Sequence, residues 1–208
     1  MMLMNIKFED NEIILNKEPS IIDSSVLDFS DILKRNNIRN VLISGYIPIL
    51  FGKIGEIDEI DILIQNISFE KFLKLWLEIE NTFECKNTSD PVDAYNAYLK
   101  NYHSVTISTK EGHIPGFKLK IIKNEVERYV LKYRRIVRLG ERHLYISPIE
   151  MQISYNLSRG SDKEIEDARF LYNLFHEKLD KSLMDRYLKE LKIPDESVEI
   201  YLKKIDSI

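Results

Sequence analysis

Between Glu59 and Ile64 the chain reads Glu-Ile-Asp-Ile-Leu-Ile, a run whose natural conformation is a β-strand. Alternate residues of a strand leave the same face, so Glu59 and Asp61 point together, opposite Ile60 and Ile62. Two carboxylates at that spacing repel one another unless a cation or a basic side chain stands between them. Val41-Leu42-Ile43-Ser44 is a second buried strand. Gly45 opens a turn after it, and Tyr46 to Phe51 reads as a short helix. Pro48 is tolerated only in a helix's first turn, so that helix starts beside Gly45.

The rest of the first 146 residues mixes strands and helices. Asn5 to Asn16 reads as two short strands about a polar turn at Glu9 to Asn11. A helix runs from about Ser24 to Asn36, with Val26, Leu27, Phe29, Ile32 and Leu33 on its apolar side. Ser68 caps another, on which Phe69, Phe72, Leu73, Trp76 and Ile79 recur at helical spacing. Ser89 with Pro91 starts a helix that ends near Asn101. His103 to Ser108 and Phe117 to Ile122 are further strands. From Ser147 onward the pattern is helical: Ser147-Pro148-Ile149-Glu150 supplies an N-cap, a first-turn proline and a capping-box acid. Gly160 stops that helix, Ser161 and Glu164 start the next, and Pro194 separates the last two. The expected architecture is α+β: a mixed sheet flanked by helices in residues 1–146, then an all-helical cap in 147–208.

Composition excludes several classes. One cysteine, Cys85, permits no intrachain disulfide, and with four histidines no Cys-rich zinc site. No apolar run approaches the roughly 20 residues of a membrane helix, and Met1 to Asp10 lacks the pattern of a signal peptide, so a cytoplasmic protein without a membrane partner is expected. The net charge of −4 hides an asymmetry. Residues 118–142 hold nine basic and three acidic side chains, a local +6. Such a stripe either meets nucleotide phosphates or an RNA backbone, or pairs with acids of the same molecule or of an oligomer partner.

Ser44-Gly45 ends a strand and starts a helix, where backbone N–H groups hold a phosphate. Carboxylates bind Mg²⁺ together with substrate phosphates. A phosphate cradle followed by Glu59 and Asp61 therefore follows the logic of metal-assisted nucleotidyl transfer. At this point the sequence resembles the nucleotidyltransferase superfamily, particularly the small minimal-nucleotidyltransferase-like proteins that include the AbiEii-type toxins. Their Gly-Gly-Tyr, His-Gly and Asp-apolar-Asp elements align without a gap to Ser44-Gly45-Tyr46, Phe51-Gly52 and Glu59-Ile60-Asp61. The segments Ile146 to Leu157 and Gly160 to Ala168 are similar to two helix starts of the same family, and the latter carries Asp162, Lys163 and Asp167.

The resemblance implies NMP transfer from a nucleotide triphosphate to a protein or RNA acceptor. In that scheme Glu59 and Asp61 are the catalytic, Mg²⁺-binding pair, and Ser44, Gly45, Lys118 and Lys120 contact the nucleotide. The sequence also departs from the family. Ser44 replaces a Gly, Gly55 and Ile57 stand at an Arg and a Thr position, and Glu59 replaces an Asp. The strand expected to supply a third acid reads Phe117-Lys-Leu-Lys-Ile121 and presents Lys118 and Lys120 instead. The alternative is thus a binding module that keeps the fold without catalysis, such as one component of a toxin–antitoxin pair with a small helical partner or as a homo-oligomer. One lysine is expected within about 4–6 Å of Glu59 or Asp61.

Overall fold

The computed structural model describes residues 5–9, 12–112 and 114–202. Nine strands form one mixed sheet: β1 (Asn5–Glu9), β2 (Glu12–Asn16), β3 (Asn40–Ile43), β4 (Glu59–Ile64), β5 (Phe83–Cys85), β6 (Val105–Thr109), β7 (Gly116–Ile121), β8 (Arg135–Leu139) and β9 (Arg142–Ile146). Their order across the sheet is β1-β2-β8-β9-β3-β4-β7-β6-β5. The two runs that the sequence marks as strands, β3 and β4, are antiparallel neighbours, with Ile43 opposite Asp61. On its other side β4 runs parallel to β7, which places Asp61 opposite Lys118 and Leu63 opposite Lys120.

Helices α1 (Ile21–Arg35), α2 (Tyr46–Leu50), α3 (Phe69–Ile79) and the single turn α4 (Pro91–Asp93) belong to the first half of the chain. After α5 (Glu125–Lys132) and the last two strands come α6 (Ile149–Arg159), α7 (Asp162–Phe175), α8 (Lys181–Glu190) and α9 (Asp195–Leu202). None of the described helices is long and apolar enough to cross a membrane.

Packing assigns the two faces of the sheet. Phe29 of α1 stacks on Phe117 of β7, ring centroids 4.3 Å apart, and Phe83 meets both rings edge-on. Phe117, Leu119 and Ile121 are fully or almost fully buried on this main-core side, so strand alternation sends Lys118 and Lys120 to the other face. That second face has its own smaller cluster, where Val41 and Leu63 meet Val130 and Leu131 of α5, Met151 of α6 and Tyr187 of α8. The carboxylates of β4 therefore lie in the angle between the sheet and a roof of three helices.

Helix boundaries correct the sequence expectations locally. Helix α1 begins a turn earlier than Ser24, because Ser20 and Asp23 form a reciprocal capping box. Asp90, not Ser89, caps α4, and the helix expected to reach Asn101 passes through a wide π turn (Ala94–Tyr98) and a tight 3-10 turn (Leu99–Asn101). At α6 the cap position belongs to Pro148, which has no side chain to offer, and the Ser147 hydroxyl donates to Gln152 instead. Gly160 ends α6 with a left-handed φ of 73°, and Ser161 and Glu164 form the expected capping box. Within the expected turn at Glu9 to Asn11, Asp10 and Asn11 lie outside the described residues, as does His113 between β6 and β7.

Candidate functional site

Glu59 opens β4, and both of its carboxylate oxygens are engaged. The Lys118 ammonium lies 2.8 Å from Oε2, and the Thr106 hydroxyl donates to Oε1 at 3.2 Å. The side chains of the ion pair are each 39% exposed, so solvent screens it and it contributes at most about 1 kcal/mol. The Glu59 hydrogen bond raises the Lys118 pKa above its ordinary value against some desolvation, and Asp61 adds a smaller pull.

Asp61 lies deeper. Burial pushes its carboxyl above the ordinary range, while the Ser44 hydroxyl, the Lys118 ammonium and the Arg159 guanidinium pull the other way and Glu59 adds to the rise. Burial prevails. Lys120, one alternation further along β7, turns to α5 and pairs with Glu127 at 2.7 Å. Three acids, Glu59, Asp61 and Glu127, and two lysines thus gather on this side of the sheet, and Arg159 of α6 also acts on Asp61.

The turn between β3 and α2 is unusual. Ser44 has a φ of 66°, a left-handed conformation that costs a non-glycine residue about 1 kcal/mol or more. Its N–H donates to Oε1 of Gln152 at 3.0 Å, the same oxygen that accepts from Ser147 at 2.9 Å, and the Gln152 amide donates on to Asn156. The Ser44 N–H is therefore committed to α6. Gly45 and Tyr46 follow at the start of α2, where N–H groups have no upstream helical carbonyl. A Cβ built on Gly45 would meet nothing within 4 Å, so the turn opens onto free space.

Beside this turn lies a cavity of about 310 Å³, whose polar lining includes Ser44, Asp61, Lys120, Glu127 and Gln152, with Tyr155 and Leu191 among its other walls. Of the residues nominated from sequence, Ser44, Asp61 and Lys120 border it. Glu59, Lys118 and Gly45 lie outside its lining. Gln152 and Tyr155 were missed as site residues, while the sequence offers Glu127 only as an alternative acid beside Asp61. Only Glu127 had a usable signal, its place three residues after the N-cap Asn124. Asp167 and Lys163 lie elsewhere: Lys53 pairs with Asp167 at 2.5 Å and Lys163 donates to the Glu56 carbonyl, which ties the loop after α2 to α7.

The donor set does not fit a divalent ion. Mg²⁺ sites in proteins rely on free carboxylates and substrate phosphates. Here one carboxylate of the pair is bound to an ammonium, and burial raises the pKa of the other above the ordinary carboxylate range. Among the described residues no group of three His, Cys, Asp or Glu side chains comes together to hold a metal.

No protein-family model and no curated protein sequence matches the chain. A solved structure does. The antigenic nucleotidyltransferase-like protein from Paracoccidioides brasiliensis superposes with a TM-score of 0.51 at 13% identity, over 86% of this chain and 90% of that one. The fold is nucleotidyltransferase-like. A tRNA-processing enzyme in an apo form and a tRNA nucleotidyltransferase complexed with a primer tRNA and an incoming ATP analog align with TM-scores of 0.39 and 0.35, at 14% and 12% identity. They cover 89% and 83% of this chain, which spans only 57% and 59% of theirs, and they are too distant to bear on its chemistry.

Proposed function

We propose that this nucleotidyltransferase-fold protein binds a nucleotide triphosphate in the cleft between β3, β4, β7 and α6 without carrying out metal-dependent transfer. The observation that carries this reading is the Lys118–Glu59 ion pair, which places an ammonium on a carboxylate that a metal would need. Gly45 and Tyr46 offer N–H groups to a phosphate, Lys118 and Lys120 can exchange their carboxylate partners Glu59 and Glu127 for phosphate oxygens, and Ser44 orients the turn through its bond to Gln152. A cytoplasmic two-component system, with a small helical protein or a second copy as partner, is the setting in which such a module works, as in the AbiEii-type resemblance.

The shared face of Glu59 and Asp61 on β4 favours a second reading. In it the two acids hold Mg²⁺ and the chain transfers NMP to a protein or RNA acceptor. Calorimetric titration with ATP separates the two. The first reading expects binding of equal strength with Mg²⁺ and with chelator. Tight binding only with Mg²⁺, or label from a radioactive NTP that disappears in Glu59→Ala/Asp61→Ala, establishes the second and overturns the first. Absence of ATP binding under both conditions overturns both.

A further inference from the structure

Helices α5 and α8 border a larger concavity, about 770 Å³, on the outer side of the roof. Its walls are tyrosines and cations: Tyr129, Tyr133 and Tyr187 with Arg128, Lys132 and Arg186. The Tyr129 and Tyr133 rings lie 4.2 Å apart, and Tyr187 meets Tyr129 edge-on at 5.7 Å. The Arg186 guanidinium stands 5.2 Å over Tyr129, and the Lys132 ammonium 5.0 Å over Tyr133. Tyr133 is 47% exposed, so its ring is open to a ligand. Tyr187 is the reverse: 2% exposed, with a hydroxyl that has no hydrogen-bond partner among the described residues.

Two acids also line the groove. Glu125 is already paired with Arg128 at 2.5 Å, which leaves Lys132 and Arg186 facing Glu190. The surplus is positive in a chain whose total charge is −4. It is also local: within the basic stripe of residues 118–142, Lys118, Lys120, Arg138 and Arg142 are paired with Glu59, Glu127, Glu12 and the pair Asp28 and Asp31.

We propose that this groove binds single-stranded polynucleotide, with a base stacked on the exposed Tyr133 and phosphates met by Lys132 and Arg186. Exposed aromatic rings interleaved with cations suit a single strand, because every base has a π face and a strand has one phosphate per base. A duplex keeps its bases stacked on each other and cannot use the rings. An acidic peptide would use the cations and leave the tyrosines idle. Val126 lines both this groove and the Asp61 cavity. The proposal does not rest on the reading of that cleft, and binding is measured without nucleotide or metal.

Fluorescence anisotropy of the full chain with a labelled oligouridylate of about 12 nucleotides tests it. The strand is expected to bind, with an affinity that falls as salt rises. Tyr133→Ala should weaken binding about tenfold while Tyr133→Phe keeps it, since the ring and not the hydroxyl stacks. Arg186→Ala should weaken binding and flatten its salt dependence. These side chains are exposed, and circular dichroism of each variant checks that the fold is intact. Wild-type affinity in both Tyr133→Ala and Arg186→Ala, equal binding of a duplex of the same length, displacement of the strand by poly-glutamate at matched charge, or no binding at about 0.1 M salt would each overturn the proposal.

Discussion

Asp23 is buried and Asp61 half-buried, and the two acids have opposite balances. Burial works against the charge of Asp23, but Lys17 at 2.8 Å, the Tyr46 hydroxyl at 2.6 Å and the Ser20 N–H at 2.9 Å together hold its carboxyl below the ordinary range. Its ionised form therefore stabilises the fold above the unfolded carboxylate pKa, and that contribution is lost as pH falls through the lower, folded value. Asp23→Ala should cost about 3–5 kcal/mol near neutrality, because it strands Lys17 and the buried Tyr46 hydroxyl; urea denaturation at pH 7 measures it. Asp61 has the opposite sign. Its folded pKa is raised, chiefly by burial, so its favourable contribution exists below the unfolded value and fades as pH climbs through the folded one. Asp61→Asn should raise the melting temperature at pH 7, with the gain shrinking towards about pH 4. A loss at pH 7 would show that Asp61 is held as an ion. Sequence alone puts Glu59 and Asp61 on one face of β4 and Lys118 and Lys120 on one face of β7, because a strand alternates with period two; that the two strands adjoin is only what the family resemblance implies. It could not show Asp23, since an acid in a helix's first turn looks the same whether or not a tyrosine from another element reaches it. Nor could it show the left-handed Ser44, whose conformation depends on Gln152, 108 residues away.

At the scale of elements, caps decide where helices begin. The Ser20 hydroxyl accepts the Asp23 N–H at 3.1 Å while Asp23 returns a bond to the Ser20 N–H. Ser20→Ala should cost about 1 kcal/mol, whereas Ser24→Ala, inside the helix, should cost nothing, since alanine is the better helix former. Equal costs would remove the capping box as the start signal. Helix α6 has a different duty. Gln152 binds Ser44, Ser147 and Asn156 from a position only 2% exposed, so Gln152→Leu should cost about 1–3 kcal/mol by leaving the Ser44 N–H and the Ser147 hydroxyl unmatched. The same change should weaken ATP binding, since it frees the turn beside Gly45. The elements the sequence did not reveal are β5, α5, β8 and β9. Strand β5 has three residues, too few for a periodic signal. In β8 and β9 the arginines at 135, 138 and 142 read as a charge stripe, whereas two of them reach out to pair with Glu12, Asp28 and Asp31. Helix α5 buries Val130 and Leu131 while four of its eight residues are Glu, Arg or Lys, so composition masks its apolar side.

For the molecule as a whole, the open question is whether residues 147–208 fold apart from residues 1–146. The sequence boundary at Ile146-Ser147 is a change of element type: all nine strands among the described residues precede it, and α6 to α9 follow. The packing ignores that boundary. One hydrophobic core joins Ile13 and Leu15 of β2, Leu42 of β3 and Phe117 of β7 to Ile153 and Leu157 of α6, Leu171 of α7 and Leu202 of α9. Phe51, just after α2, meets Phe175 of α7 edge-on at 4.8 Å, and the second cluster joins β3 and β4 to α6 and α8. Most of the apolar surface of α6 would face water if it left the sheet, and burial of such surface yields roughly 25 cal/mol per Å². The helical part should therefore not hold together alone, and the chain should unfold as one unit. The single tryptophan, Trp76 on α3, reports on the sheet side, while far-ultraviolet circular dichroism weighs all the helices, α6 to α9 included. In urea the two signals should follow one transition with a common midpoint. A circular-dichroism transition at lower urea than the Trp76 transition would mean that the helices melt from a surviving sheet, and residues 147–208 would then be a domain in their own right.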